Sequence, residues 1–226
     1  MAELPRIEAC VFDAYGTLFD FNSAAARCRD ALGNQADALS AMWRTKQISY
    51  TWLRGLMGRH ADFWHVTGDA LDFCLETLGI QDAGLRARLM DCYLDIEAFP
   101  EVAGVLERLK AGGMKTAILS NGTPHMLDAA VSHAGIAHLF DAVLSVEEVG
   151  VFKPHPSVYR LAVDRLGVPA DRISFQSSNS WDAVAAATFG MRVVWINRYG
   201  QPRERLTADP DVEGRTLDDL LPALGL

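Results

Sequence analysis

A short apolar run that ends in a carboxylate and a tight turn, Ala9-Cys10-Val11-Phe12-Asp13-Ala14-Tyr15-Gly16-Thr17-Leu18, limits what this chain can fold into more than any other segment. Such a run fits a buried strand, and Gly16 permits the sharp turn that follows. Asp13 then sits at the carboxyl edge of the strand, where open α/β sheets form their ligand crevices. An Asp after a strand is also commonly a turn residue or a helix cap. By itself the run leaves a functional and a structural role for Asp13 open.

Three further segments carry polar residues directly after apolar runs. Thr116-Ala117-Ile118-Leu119 leads into Ser120-Asn121-Gly122, Lys153-Pro154 follows the apolar stretch 142–151, and Ile173-Ser174-Phe175-Gln176 leads into Ser177-Ser178-Asn179-Ser180-Trp181-Asp182. Four such edges can converge on one crevice. From Pro100 onward, helical spacing over 102–110 and 126–134 alternates with short apolar runs, the last being Val193-Val194-Trp195-Ile196. That alternation predicts a parallel sheet with helices on both faces. Residues 22–97 show helical spacing and no good strand candidate. There, Trp43, Ser49, Tyr50, Leu53, Leu56 and Met57 fall near one helical face, while Leu71, Leu75 and Leu78 mark another helix that stops at Gly79. The expected organisation is a discontinuous α/β core, residues 1–21 and 98–226, with an all-helical insertion over 22–97. The segment after Tyr199, rich in Pro, Asp and Arg, is expected on the surface.

Half of the 226 residues are hydrophobic, enough for a substantial core. The formal charge of −8 disfavours nucleic acid and anionic membrane as partners, so an anionic substrate needs a local cationic pocket. Cys10, Cys28, Cys74 and Cys92 form no CxxC pair and read as reduced packing residues. No basic segment followed by an apolar stretch opens the chain, and no run approaches the ~18 apolar residues of a membrane span. The expected location is the cytoplasm. The six histidines show no HxxxH or HExxH spacing and read as surface or core residues.

The four polar edges, together with Met42-Trp43-Arg44-Thr45-Lys46-Gln47-Ile48-Ser49-Tyr50-Thr51-Trp52-Leu53-Arg54, resemble the haloacid dehalogenase superfamily and, within it, the L-2-haloacid dehalogenases. The resemblance covers nearly the whole chain. It implies a Rossmann-like doubly wound parallel sheet whose inserted helices form a cap over the active site. It implies that Asp13 is a nucleophile, displacing halide from a short (S)-2-haloalkanoate through an ester that water then cleaves to the (R)-2-hydroxy acid. Lys153 is the expected counter-charge that keeps Asp13 ionised, with Tyr159 holding Lys153, and Thr17 and Ser177 orienting Asp13. Arg44 and Asn121 match the family's halide cradle, with Phe63 or the neighbouring Trp64 as its aromatic wall. Ser120, Lys153 and backbone N–H groups are expected to anchor the substrate carboxylate. Asp182, alone or with Asn179 positioning the water, is the candidate base for ester cleavage, and it is also expected to cap a helix that begins near Ala183. The implied partners are the 2-haloacid, halide, water and a second copy of the chain, with no cofactor.

Tyr15 bears on the reaction type. Superfamily phosphatases usually carry a second Asp two residues after the nucleophile, as general acid for an alcohol leaving group, and this chain has Tyr15 there. Halide leaves as a weak base and needs no proton, so dehalogenation tolerates the replacement. Tyr15 then joins the residues around the substrate. Magnesium prefers several oxygen ligands, and the fourth segment offers neutral side chains until Asp182. A magnesium-dependent phosphatase of the same superfamily and a non-catalytic protein that binds a small organic anion are the alternatives. The first is opposed by Tyr15 and the neutral fourth segment, the second by the intact set Asp13, Lys153 and Asp182.

Overall fold

All four residues of Ala9–Phe12 are buried, which accounts for an apolar run without alternation, and they form β1 in the middle of a parallel sheet. A computed structural model describes Leu4 and residues 6–226. After β1 come five helices, α1 (Asn22–Arg27), α2 (Arg29–Leu32), α3 (Ala36–Leu56), α4 (Phe63–Thr77) and α5 (Ala83–Asp91). The alternating part follows: α6 (Val102–Ala111), β2 (Lys115–Ser120), α7 (Pro124–His133), β3 (Ala142–Ser145), α8 (Pro156–Leu166), β4 (Ile173–Ser177), α9 (Ser180–Phe189) and β5 (Arg192–Ile196). The chain finishes with β6 (Val212–Gly214) and α10 (Leu220–Ala223).

The six strands lie in the order β3-β2-β1-β4-β5-β6, every neighbouring pair parallel. This is the Rossmann-like doubly wound arrangement, in which the winding changes direction between β1 and β4 and opens a crevice at their carboxyl ends. Register fixes what meets there. Phe12 pairs with Ile118 on one side and Gln176 on the other, so β1, β2 and β4 end nearly level and deliver Asp13, Ser120 and Ser177 to one edge. Gly16, at φ +90°, makes the turn out of β1, and a Cβ there would sit 2.8 Å from Ser178 Oγ.

The helical insertion leaves and rejoins the core through paired segments. The Asp20 N–H donates to the Glu97 carbonyl at 2.8 Å and the Phe99 N–H to the Leu18 carbonyl at 2.9 Å. Its main contact is α3 against α4. The buried stripe of α3 is Leu39, Trp43, Gln47 and Thr51 rather than the face expected from its apolar residues. Of the residues grouped on one face, Trp43 is inside, whereas Leu53, Leu56 and Met57 are 48%, 86% and 64% exposed. The stripe turns because polar members can be buried when bonded. Gln47 Nε2 donates to Thr67 Oγ1 at 2.8 Å, Thr51 Oγ1 donates to the Ile48 carbonyl at 2.7 Å, and Trp43 Nε1 donates to the Thr67 carbonyl at 2.9 Å. In α4, Leu71 and Leu75 face inward, and Gly79 follows its end at φ +69°.

The segment after Tyr199 departs from expectation. Residues 200–206 are exposed, but β6 extends the sheet beside β5, and Leu217, Leu220, Leu221 and Ala223 are buried. A three-residue strand gives too little alternation to stand out among Pro, Asp and Arg. No helix among the described residues is long and apolar enough to cross a membrane.

Candidate active site

Asp13 is only 6% exposed and its carboxylate is held by four donors from three parts of the chain. Oδ1 accepts from Lys153 Nζ at 3.1 Å. Oδ2 accepts from Asn179 Nδ2 at 2.8 Å, and the hydroxyls of Thr17 and Ser177 lie 3.3 and 3.4 Å away. The two oxygens therefore differ: one faces a single cation, and the other is surrounded by neutral donors. Each donor is fixed by a local feature. Thr17 follows Gly16 in the turn after β1, and its Oγ1 also accepts the Ser178 N–H at 2.8 Å. Ser177 ends β4, and its Oγ accepts the Asn179 N–H at 3.1 Å.

Lys153 lies on the loop after β3 and is 1% exposed, an ammonium that burial disfavours unless it is paired. Its Nζ bridges Asp13 and, at 2.7 Å, Asp182 Oδ2. Burial alone pushes the ammonium pKa down, but the Asp13 and Asp182 charges outweigh it and leave it raised. Asp182 is fully buried, and this desolvation raises its carboxyl above the ordinary range, with Lys153 pulling the other way. Its Oδ1 accepts from the Tyr159 hydroxyl at 2.6 Å. Tyr159 thus holds Asp182, not Lys153 directly as expected. Burial, with Asp182 adding to it, drives the Tyr159 phenol well above its usual value and keeps it a donor. Nor is Asp182 a helix cap: α9 starts at Ser180, Asn179 occupies the cap position, and Asp182 lies in the first turn.

Asn121 and Ser120, at the end of β2, stand on the other side of the crevice. Asn121 Oδ1 accepts the Lys153 backbone N–H at 3.0 Å, which ties the lysine loop to β2, and Ser120 Oγ accepts the Gly122 N–H at 3.1 Å. Arg44 reaches in from α3. Its Nη2 donates to Asn179 Oδ1 at 3.2 Å and lies 3.5 Å from the Tyr15 carbonyl, and its guanidinium is 5.0 Å from the centre of the Phe21 ring. Phe63, the first residue of α4, is buried and packs 6.0 Å from the Tyr15 ring and 6.2 Å from Phe152. Trp64 is half-buried. Tyr15 is 2% exposed and its hydroxyl has no hydrogen-bond partner among the described residues. Desolvation raises its phenol, so it stays neutral. Trp181 is half-buried, its ring edge-on to Trp52 of α3 at 5.3 Å.

Several contributors escape a sequence reading. Gln47 Oε1 accepts from Arg44 Nη1 at 2.8 Å, so a fully buried amide aims the guanidinium. Arg198, after β5, donates to the Thr17 carbonyl at 2.8 Å, pairs with Glu101 at 2.7 Å and lies 3.7 Å over the Phe99 ring. It thereby clasps both crossings between sheet and inserted helices. His60, expected to be an ordinary surface or core residue, bonds Glu147 at 3.0 Å across the same divide. Gln47, at i+3 from Arg44 on a helix, offered a spacing signal; Arg198 and His60 offered none.

Among the described residues no three His, Cys, Asp or Glu side chains converge as a metal-binding group. The space between Asp13 and Asp182 holds the Lys153 ammonium, so these residues do not suit a divalent cation, which needs several free oxygen ligands.

A family model of haloacid dehalogenase-like hydrolases matches residues 7–190. The chain is 44% identical over 219 residues to (S)-2-haloacid dehalogenase 4A of Burkholderia cepacia, spanning 96% of this chain and 95% of that one. It is 47% identical over 212 residues to the (S)-2-haloacid dehalogenase of Pseudomonas sp. strain YL, spanning 93% and 91%. Its fold superposes with a TM-score of 0.91 on the L-2-haloacid dehalogenase from Xanthobacter autotrophicus with chloropropionic acid covalently bound, at 38% identity and covering 97% of this chain and 98% of that one. With a matching family model across most of its length and relatives this similar over nearly all of it, the chain belongs to the haloacid dehalogenase-like hydrolases.

Proposed function

We propose that the protein hydrolyses short (S)-2-haloalkanoates to (R)-2-hydroxy acids through an ester on Asp13. The observation that carries this reading is the asymmetric setting of the Asp13 carboxylate. Oδ1, with Lys153 as its only bonded partner among the described residues, keeps the freer lone pair to attack C2, while Oδ2 is cradled by Asn179, Thr17 and Ser177. Once Oδ1 has formed the C–O bond and the halide has left with the C–X electron pair, Oδ2 becomes the ester carbonyl. The three donors then stabilise the negative charge that develops there as water attacks Cγ. Esterification also removes the charge of Asp13, leaving Asp182 as the carboxylate beside Lys153. Its raised pKa suits it to take a proton from the water.

Arg44, with the Nδ2 of Asn121, receives the departing halide, and Tyr15 and Phe63 wall the pocket. Ser120 and Lys153 hold the substrate carboxylate. Attack at C2 inverts that centre and ester cleavage leaves it untouched, so one net inversion results. The covalent chloropropionic acid complex of the Xanthobacter autotrophicus relative supports the ester.

The proposal extends to organisation. Residues 1–21 and 98–226 form the catalytic core and 22–97 the cap. The exposed Leu53, Leu56 and Met57 support a homodimer through α3. Four free thiols favour a reducing, cytoplasmic location.

The test is halide release and product chirality from (S)- and (R)-2-chloropropionate, with and without EDTA, beside a generic phosphate ester and an Asp13→Asn control. The expected result is EDTA-resistant chloride release from the (S) substrate alone, giving (R)-lactate and vanishing in the control. Magnesium-dependent phosphate release without halide release would overturn the reading.

A further inference from the structure

Two cavities flank the site: Arg44 lines one, and the loop that carries Lys153 lines the other. On the Arg44 side, a cavity of about 380 Å³ lies between α1, α3 and the loop after β5. Its polar lining includes Arg29, Asn22, Ser40, Tyr199 and Arg44 itself. Asn22 links two of these groups: it accepts from Ser40 Oγ at 2.9 Å and reaches the Tyr199 hydroxyl at 3.4 Å. Arg29 pairs with Asp37 at 2.6 Å, so Arg44 leaves the cavity with an excess of one positive charge. On the Lys153 side, an apolar groove of about 370 Å³ runs between Thr51, Trp52, Gly55 and Leu56 of α3 and residues 151–155.

We propose that the polar cavity is the halide exit, a passage for a monovalent anion separate from the groove that admits the haloacid. The inference rests on the dehalogenase reading and follows from the order of its steps. In-line displacement expels the halide away from Asp13 toward Arg44, while the alkyl group is now covalently attached and fills the space on the Lys153 side. The groove is blocked at the moment the halide must leave. Arg44 is half-buried, and the cavity it lines gives the anion a polar path to water along weakly hydrated guanidinium and neutral donors. The groove has mainly apolar walls, and the Lys153 ammonium beside it is already engaged by Asp13 and Asp182.

Substitutions can fill each opening without touching the reacting groups. Ala41→Phe on α3 and Gln201→Trp on the opposite wall narrow the polar cavity. Ala41 is exposed, and the Gln201 backbone, not its side chain, makes the bonds to Asn197. Gly55→Leu fills the groove, and a Cβ there meets nothing within 4 Å. Rapid mixing with (S)-2-bromopropionate, with a bromide-sensitive fluorophore for free halide and acid quench for ester and lactate, separates the events. In the unaltered protein free bromide should appear as fast as the ester forms. Both cavity-filling variants should form ester at an unchanged rate but show bromide appearing about ten-fold later, with release limiting turnover. Gly55→Leu should instead slow ester formation at low substrate concentration with no bromide lag. Bromide that keeps pace with the ester in both cavity variants, or a lag confined to Gly55→Leu, overturns the exit. Absence of any ester or lactate in the unaltered protein would overturn the dehalogenase reading itself, and the exit with it.

Discussion

Replacing Lys153 with Met keeps the length of the side chain and removes its charge, leaving Asp13 and Asp182 facing each other in a site where they are 6% and 0% exposed. The lost attractions act over 3.1 and 2.7 Å; at an effective dielectric constant of about 20 each is worth roughly 5–6 kcal/mol before solvation is counted. Releasing the lysine from its own desolvation penalty offsets much of this, and removing one partner of a buried ion pair costs about 3–5 kcal/mol in net terms. The net loss is a large part of the ~5–15 kcal/mol that stabilises a typical domain. The deficit should depend on pH with a defined sign. Without the ammonium, the buried Asp182 keeps a proton in the folded variant, whereas the unfolded chain releases it above about pH 4. The folded state then binds more protons than the unfolded one, so stability falls as pH rises, by up to about 1.4 kcal/mol per unit. Urea unfolding of both proteins between pH 5 and pH 8 measures this. The variant should be closest to the parent at pH 5 and furthest from it at pH 8, with halide release lost throughout. A deficit below about 1 kcal/mol at pH 8, or one that does not change with pH, would refute the argument that Lys153 stabilises two buried charges.

Asp182→Asn should slow ester cleavage by roughly 10²–10⁴-fold while alkylation continues, so mass spectrometry after (S)-2-chloropropionate should find an adduct of about 72 Da on Asp13. Gln47→Leu leaves Arg44 without its 2.8 Å acceptor and Thr67 without its donor; thermal unfolding should show a loss of about 1–3 kcal/mol and kcat should fall, with Gln47→Glu restoring the Arg44 contact and part of the rate. Arg198→Met should destabilise by about 3 kcal/mol in urea unfolding because Glu101 keeps a mostly buried charge without its partner, and Arg198→Lys should recover only part, since a lysine lacks the planar fork that serves Thr17, Glu101 and Phe99 together. On the proposed homodimer through α3, Leu56→Glu with Met57→Glu should sediment as a folded monomer where the parent sediments as a dimer, because both side chains face water in the single chain.

The elements that bear the reacting groups were legible because their signals are local. An apolar tetrad followed by Asp13 and Gly16 is a strand and a turn within ten residues, and the same logic located Ser120, Lys153 and Ser177 at the ends of their segments. Hydropathy grouped Leu53, Leu56 and Met57 on one face of α3 but could not say whether that face is buried, whereas hydrogen bonds to Thr67 and Ile48 admit Gln47 and Thr51 to the buried stripe. β6 was missed because three residues hold barely more than one period of a strand.

The sequence by itself determined the alternating α/β core, the helical insertion and the set of polar residues that end its strands, since each depends on neighbours along the chain. Tertiary structure alone decided which of them bond to one another. Tyr159 could have served Lys153 or Asp182 and serves Asp182. Lys153 could have been a solvated lysine and is instead buried between two carboxylates, one of them 140 residues away. Arg198 joins Thr17 across 181 residues and returns to Glu101. Hydrogen bonds and ion pairs act over about 3 Å in space whatever the separation in sequence, so partner choice exists only once the parallel sheet has brought its carboxyl ends level and the inserted helices have closed over them.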